Sequence, residues 1–503
     1  MANNKVSEKA ADEIIRRVSN ENINTKNEAY NIKRLVSKEF SIPLINDSEL
    51  YRKSKLRVFS RKPSRSLSGV SVIAVMTSPA KCPHGKCVFC PGGVEFMTPQ
   101  SYTGEEPAAL RGRMFKYDAF RQVRSRIKQY YILGQTPSKA ELIIMGGTFT
   151  NRAWNYQKNF VKDCFDALNG KRSRSLKSAQ LLNEHAKHRC VGLTVETRPD
   201  EINDKIITRL LELGATRVEL GVQSVHDKIL KNSKRGHTVR DIVKATKLLK
   251  NAGFKINYHL MTNMPGSNAK KDFESFRKVF SNENFKPDMV KIYPTLLIKG
   301  TELHNLYDNG EWVPYSLKET VGLISRIKRI IPKYVRVMRI QRDIPSFKIV
   351  QDLKNSNLRQ LVNEEMKHKD WKCSCIRCRE AGRNKGDFSK AAIKTMKYNA
   401  SNGVEYFIEY SDNNNVLFGF ARLRMMKNFM FIRELHVYGE QAIIGEEGSI
   451  QHRGIGKKLM LKAEELAEKL GLKKIKVISG VGVREYYRKL GYSRDWFYMS
   501  KNI

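Results

Sequence analysis

The chain has 503 residues, too many for one ordinary domain and enough to bury several cores. Lysine and arginine outnumber aspartate and glutamate by 92 to 51, a formal charge of +41, which points to a polyanionic partner because neutralised phosphates release counterions. A lysine-rich proteome is the plain alternative. No apolar run of about 18 residues is present that could span a bilayer, so no membrane partner is expected. The stretch Met1 to Asn22 is polar and charged, without a secretory apolar region, which predicts a cytoplasmic protein. A reducing compartment disfavours disulfides, and six of the eight cysteines fall into two tight clusters, a pattern that reads as metal binding.

Residues 1 to about 50 place apolar side chains at helical spacing (Ala11, Ile14, Ile15, Val18, then Ile32, Leu35, Val36) and predict short amphipathic helices. The run Tyr51 to Arg65 follows, with Arg52, Lys53, Lys55, Arg57, Arg61, Lys62 and Arg65 and no acid. Such a run is commonly just a solvated face. Here Tyr51 and Phe59 interleave with the cations, and the run is assigned to nucleic-acid contact. From 70 to about 345 short apolar strands alternate with amphipathic helices: Val70–Met76, Glu141–Met145, Val191–Val195, Arg217–Val222, Lys255–Met261 and Met289–Tyr293, with helices such as Pro107–Leu133 and Asp204–Leu213 between them. That alternation predicts right-handed βαβ units, an α/β fold with a parallel sheet that forms a partial or complete βα barrel, with chemistry at the C-terminal strand ends. Residues 346–395 form a cysteine-bearing linker. Beyond it Val404–Glu409, Val416–Arg424 and Met430–Tyr438 read as antiparallel strands of a separate α+β unit.

The first predicted strand runs into Cys82-Pro-His-Gly-Lys-Cys87-Val-Phe-Cys90-Pro-Gly-Gly93. Three thiolates on one loop can hold three irons of a 4Fe-4S cluster and leave the fourth open to the amino and carboxylate end of S-adenosylmethionine (SAM). Zinc is the competing reading, since C-x2-C is far commoner there. The second strand ends in Gly146-Gly147-Thr148, where bare backbone can approach a cofactor. The third ends in Glu196-Thr-Arg198-Pro-Asp200 and the fourth in Glu219-Leu-Gly-Val-Gln223-Ser, polar groups suited to cofactor hydroxyls and carboxylate. An internal ion pair is the alternative for Glu196 and Arg198. Lone Cys164 and Cys190 are expected to be small buried hydrophobes.

Cys373-Ser-Cys375-Ile-Arg-Cys378 offers three further thiolates, suited to a structural zinc with His368, or else His304, as fourth ligand. An unoccupied reduced cluster is the alternative. Near the C-terminus, strand Arg433-Glu434-Leu435-His436-Val437-Tyr438 precedes Gln451-His452-Arg453-Gly454-Ile455-Gly456, which opens a helix and offers successive amides to a pyrophosphate. With the strand Ile475–Ser479 behind it, this is the arrangement of a GNAT acetyltransferase, so the strand residues Glu434 to Val437 and the turn residues Gln451 to Gly456 are candidate acetyl-CoA contacts. Tyr486 and Tyr487 are candidates to stand by the thioester sulfur, with at least one of them expected to be core.

Ser68 to Met76, the Cys82 loop, Gln100-Ser-Tyr-Thr-Gly-Glu-Glu-Pro107, Glu196-Thr-Arg-Pro-Asp200, Gln341-Arg-Asp-Ile-Pro345 and Val481 to Tyr492 together resemble the family of Elongator catalytic subunits in its archaeal form, from about residue 57 to the C-terminus. The C-x4-C-x2-C spacing, unlike the commoner C-x3-C-x2-C, is shared with that family. Thr262-Asn263 departs from it, standing where Pro-Asp or Pro-Gly is expected. With the basic run, the resemblance divides the chain into an expected tRNA-binding segment 1–68, a radical-SAM domain 69–345, a zinc-type linker 346–395 and a GNAT domain 396–503. It implies that a SAM-derived radical takes hydrogen from the acetyl methyl of acetyl-CoA, and that the carbon adds to C5 of a wobble uridine in tRNA, giving a carboxymethyl-type uridine. Lys81 and Lys291 are candidates to orient the acetyl group or base, or else ordinary phosphate contacts. An electron donor and accessory subunits are further expected partners. The rival reading is a protein lysine acetyltransferase with a scaffold N-terminal half.

Overall fold

The structure is a computed structural model that describes residues 2–54, 56–59, 69–351, 353–354, 357–439 and 454–503. Three helices open the chain: α1 (Ala2–Asn20), α2 (Lys26–Glu39) and α3 (Asp47–Ser54). Thr25 caps α2 by accepting from the Glu28 amide at 3.3 Å. Their apolar stripes close on a small core of Ile14, Val18, Val36, Leu50 and Phe59. Among the described residues no helix is long and apolar enough to cross a membrane.

Seven strands follow: β1 (Ser71–Met76), β2 (Lys139–Met145), β3 (Arg189–Thr197), β4 (Arg217–Gln223), β5 (Lys255–Thr262), β6 (Met289–Pro294) and β7 (Arg336–Ile340). They pair in chain order and all in parallel, and β1 and β7 are the two ends of the sheet, so the barrel is partial. Polar caps start the intervening helices, among them the reciprocal Thr238–Asp241 and Ser316–Glu319 boxes. The helix expected over 107–133 is two, Pro107–Met114 and Ala119–Ile132. Lys116 and Tyr117 turn between them with positive φ (49° and 61°), and Asp118 caps the second by accepting from Arg121.

The second sheet holds β8 (Ala392–Asn399), β9 (Val404–Ser411), β10 (Leu417–Met425), β11 (Met430–Val437), β12 (Lys474–Val477), β13 (Ser493–Asp495) and β14 (Tyr498–Asn502), in the order β13-β14-β12-β11-β10-β9-β8. Only β11 and β12 pair in parallel, and their ladder stops at Ile432↔Val477 while β11 runs on to Val437. The two strands therefore part where the helix Ile455–Lys469 starts. The two sheets share one continuous core, in which Phe407, Leu417, Phe420, Tyr438, Ile478 and Val481 pack with the apolar residues of β1–β7. A buried charge cluster also joins them. Arg433 of β11 donates to both oxygens of Asp288 (2.9 and 2.5 Å) and to Glu405 (3.0 Å), and Lys250 donates to Glu405 at 3.0 Å.

Candidate functional site

A cavity of about 1390 Å³ runs along the concave face of the half-barrel. Its wall includes Cys82, Cys87 and Cys90 beyond the C-terminal end of β1. It also includes Lys139, Arg189, Arg217, Lys255 and Arg336, the first residues of five strands, and ends on Leu435 to Tyr438, Gly454 to Lys457 and Ile478 to Gly480. The expectation that chemistry gathers at the C-terminal strand ends thus describes only one mouth. The other faces the second sheet.

At the cysteine loop the sulfurs are surrounded by donors. Arg235 Nη1 lies 3.1 Å from Cys87 Sγ, His84 Nε2 is also at 3.1 Å, the Ser101 amide donates to Cys90 Sγ at 3.1 Å, and Thr148 Oγ1 is 3.5 Å from Cys82 Sγ. Burial, then Arg198 and Arg235, lower the His84 pKa to about 3, so its ring is neutral. The three sulfurs do not gather within 4.8 Å of one another, whereas those of Cys373, Cys375 and Cys378 do. Sulfurs ringed by donors in this way suit the thiolates of an iron-sulfur cluster. Gly146 and Gly147 take φ of +132° and +89°, and a Cβ on Gly146 would run into the Thr77 hydroxyl. Glycine is therefore required at both positions.

Glu196 faces the cavity and accepts from Tyr102 Oη at 2.8 Å. Arg198 also lines the cavity, yet its guanidinium is spent on Asp200 (3.0 and 2.6 Å) and the Arg235 carbonyl (2.7 Å), so the ion pair is with Asp200 and not with Glu196. Gln223 reaches the wall from a left-handed backbone (φ 64°). Lys291 lines the cavity, pairs closely with Glu219 and lies 3.8 Å from Glu196. Burial works against its ammonium, but Glu219, Tyr293 and Glu196 outweigh burial and raise its pKa above the ordinary lysine range. Lys291 is thus a fixed cation and not a base. Lys81 is different: it stands exposed beside the cysteine loop and does not line the cavity.

Sequence reasoning places Glu219 at a strand end as a cofactor contact but does not pair it with Lys291. Glu219 is buried on β4 and accepts from His259 Nε2 at 2.7 Å and Asn257 at 3.1 Å, both from β5. Burial pushes its pKa up, but Lys291, His259 and Arg217 outweigh it and hold the carboxyl well below the usual range. The inward residues of neighbouring strands make this set, and no local motif marks it. Thr262 and Asn263, the family-divergent pair, do not line the cavity. Asn263 takes a left-handed φ of 60° that asparagine tolerates, and receives Trp312 Nε1 on its carbonyl at 2.9 Å.

At the other mouth Gly454 caps the helix with φ +77°, and among the described residues nothing lies within 4 Å of where its Cβ would be. A Cβ on Gly456 would lie 2.6 Å from the Tyr486 hydroxyl. That phenol therefore stands at the helix start, where burial raises its pKa to about 12. Tyr487 touches the cavity but is mainly core, 5% exposed and edge-on to Tyr486 and Tyr492. Glu434 is buried in a 2.8 Å bond with Arg422, and His436 stacks on Phe420. Ile455 is buried behind the turn. A glycine turn opening a helix beside a parted strand pair fits a coenzyme A pyrophosphate and pantetheine. Gln451, His452 and Arg453 lie outside the described residues.

The second cysteine cluster presents one buried sulfur, Cys375, that accepts from Cys373 and Cys378, and these bonds hold its pKa well below the thiol range. His368 does not join it. The residue is exposed at the end of the helix Leu358–His368, and the chain then turns back through Asp370 (φ 49°), with the Trp371 amide on the Met366 carbonyl at 2.7 Å. His304 instead pairs with Asp308 at 2.9 Å. Cys164 and Cys190 are buried as expected, and burial raises the Cys190 pKa to about 12.

Of the basic run, Lys55, Arg61, Lys62 and Arg65 and the Arg57 side chain lie outside the described residues. Arg52 is exposed, and Lys53 ties α3 to α1 through Asp12 at 3.0 Å. The interleaved aromatics do not form a stacking platform: Phe59 is 1% exposed in the N-terminal core, and the Tyr51 ring packs on Gly134.

These elements define a radical-SAM half-barrel joined to a GNAT acetyltransferase sheet. The chain matches the Radical SAM superfamily over residues 76–279, the Radical_SAM C-terminal domain over 287–368 and the Acetyltransferase (GNAT) family over 371–492. It is 51% identical over 479 residues to the tRNA uridine(34) acetyltransferase of Methanocaldococcus infernus, covering 91% of this chain and 90% of that one. It is 39% identical over 480 residues to human Elongator complex protein 3, covering 90% and 88%. The solved structure of the archaeal M. infernus Elp3 with an N-terminal deletion (1-46) superposes with a TM-score of 0.77 at 46% identity, covering 87% of this chain and 100% of that one. The chain belongs to the tRNA uridine(34) acetyltransferase family of Elongator catalytic subunits.

Proposed function

We propose that this protein alkylates C5 of uridine 34 in tRNA with the acetyl carbon of acetyl-CoA, giving a carboxymethyl-type uridine. The observation that carries the reading is the shared cavity, walled at one end by the Cys82 loop and at the other by the glycine turn and Tyr486. Two reacting centres that share one cavity can pass a carbon unit without releasing it.

Cys82, Cys87 and Cys90 would hold the 4Fe-4S cluster, with Gly146, Gly147, Thr148, Glu196, Arg198 and Gln223 around SAM. When bound, the pair supplies one-electron activation of a carbon–hydrogen bond. Gly454 and Gly456, with Gln451 to Arg453, would cradle the pyrophosphate, and Leu435 to Val437 would align the pantetheine. The Tyr486 phenol, protonated at neutral pH, would donate a hydrogen bond to the thioester sulfur. Lys291, kept charged by Glu219, would orient the acetyl or uracil carbonyl. Cys373, Cys375 and Cys378 would bind zinc, a reading supported by their clustered sulfurs. The basic run Arg52 to Arg65 would contact tRNA phosphates, an electron donor would serve the cluster, and accessory subunits would dock as in Elongator.

Mass analysis of tRNA treated with the anaerobically loaded enzyme tests this reading. A product at uridine 34 is expected with wild type and none with the Cys82, Cys87, Cys90→Ala variant. Protein-lysine acetylation at wild-type rate by that variant, with no tRNA product from either, would establish the scaffold reading instead.

A further inference from the structure

The segment that carries Tyr486 is anchored from outside its own sheet. After β12 the chain runs along β3: a Cβ on Gly480 would run into the Val191 carbonyl, and one on Gly482 would lie 2.5 Å from Arg189 Cβ. Val481, 1% exposed, enters the core beneath the half-barrel. The short helix Arg484–Arg488 follows, and its first and last residues reach one carboxylate. Glu184, just past the helix Leu176–Asn183, accepts from Arg484 Nη1 at 2.9 Å and from Arg488 Nη1 at 2.7 Å. Glu184 is 3% exposed and Arg484 4%. Burial pushes the Glu184 carboxyl up, but the two guanidiniums outweigh it and hold it below the usual carboxylate range.

We propose that Glu184 is a positioning residue for the acetyl-CoA site. It does not line the cavity, and it acts through the helix that carries Tyr486. A helix of five residues cannot hold itself in place, because one turn repays little of the cost of forming it. Two guanidiniums four residues apart on a single buried carboxylate fix both its axial position and its rotation. The rotation sets where the Tyr486 hydroxyl points, and that hydroxyl stands over Gly456. A residue of the radical-SAM half thereby sets the geometry at the thioester. The inference rests on the proposed role of Tyr486 as donor to the sulfur.

The test compares full-length wild type, Glu184→Gln, Glu184→Asp, Tyr486→Phe and the Glu184→Gln/Tyr486→Phe double variant, each loaded with iron and SAM and given tRNA. Release of CoA thiol gives kcat and KM, and calorimetry gives the affinity of a non-hydrolysable acetyl-CoA analogue. Glu184→Gln is expected to lower kcat about tenfold to hundredfold, as a misplacement near 1 Å does, with analogue affinity within about twofold of wild type. Glu184→Asp should recover part of the loss. Adding Tyr486→Phe should cost nothing further, since both changes remove the same hydrogen bond. Additive losses, a Glu184→Gln kcat within about twofold of wild type, or an equal fall in kcat and affinity overturn the proposal. Wild-type turnover by Tyr486→Phe alone would overturn the phenol reading and the proposal with it. If Glu184→Gln does not fold, Arg488→Gln, at the half-exposed side of the pair, serves for the same comparison.

Discussion

Replacing Arg433 by methionine removes a cation that is fully buried where the two sheets meet. Its guanidinium satisfies both oxygens of Asp288 (2.9 and 2.5 Å), one of Glu405 (3.0 Å) and the Phe254 carbonyl (2.6 Å). Lys250 and Arg424 still reach Glu405, at 3.0 and 3.1 Å, but Asp288 keeps the Ile256 amide at 2.8 Å and, among the described residues, no cation nearer than 3.9 Å. Losing one partner of a buried ion pair leaves an uncompensated charge, at about 3–5 kcal/mol. Denaturant unfolding followed by tryptophan fluorescence should show that loss for Arg433→Met. The Arg433→Met/Asp288→Asn double variant should be destabilised by less than the sum of the single changes, because the stranded charge is gone. The pH dependence follows. Burial raises the pKa of Asp288 and Glu405, but Arg433 and Lys250 outweigh it and lower both. Carboxyls depressed in the folded state contribute stability that is present above their unfolded pKa, near 4, and lost as pH falls below it. The acid limb of stability should therefore be shallower in Arg433→Met than in wild type. A loss under about 1 kcal/mol with an unchanged acid limb would refute the reasoning.

Alanine at Gly456 places a Cβ 2.6 Å from the Tyr486 hydroxyl, and titration calorimetry should show acetyl-CoA analogue affinity down about tenfold with the iron content unchanged. The Cys82, Cys87, Cys90→Ala variant should lose its iron by metal analysis while keeping analogue affinity, since the glycine turn lies at the far mouth of the cavity. Removing residues 1–65 should weaken tRNA binding and reduce the slope of log K against log salt by about 0.7 to 0.9 for each phosphate no longer neutralised. An unchanged slope takes the segment off the binding surface.

Six strands of the half-barrel are legible because each is a short apolar run between amphipathic helices. β7 is not: Arg336 and Arg339 break its apolar pattern, and both point to the cavity rather than to a helix layer. β8 escapes notice because it is an edge strand with exposed and half-exposed residues throughout. The Cys82 loop and the Gly454 turn announce themselves by spacing, since each is one continuous stretch of chain. The grouping of Glu219, His259 and Lys291 does not, although Glu219 and Lys291 are each named as candidates, because β4, β5 and β6 bring them together across 72 residues of sequence. Two misreadings share one cause. Nearness in sequence assigns His368 to the second cysteine cluster and Phe59 to the run that contacts nucleic acid, and the chain turns both elsewhere.

The second sheet has its own core around Ile408, Leu423, Ile432 and Leu459, but the further core that both sheets share makes the matched families incomplete as units of folding. Ile478 and Val481 belong by sequence to the acetyltransferase half, yet their apolar contacts are with the half-barrel. Cut away at the linker, that half would present these residues to water together with the bare backbone of Gly480 and Gly482, which now faces β3. The half-barrel would in turn lose the wall that closes the N-terminal ends of its strands. Neither excised piece should be a faithful miniature of its part of the enzyme, and a protease that nicks the linker should leave two fragments that stay together.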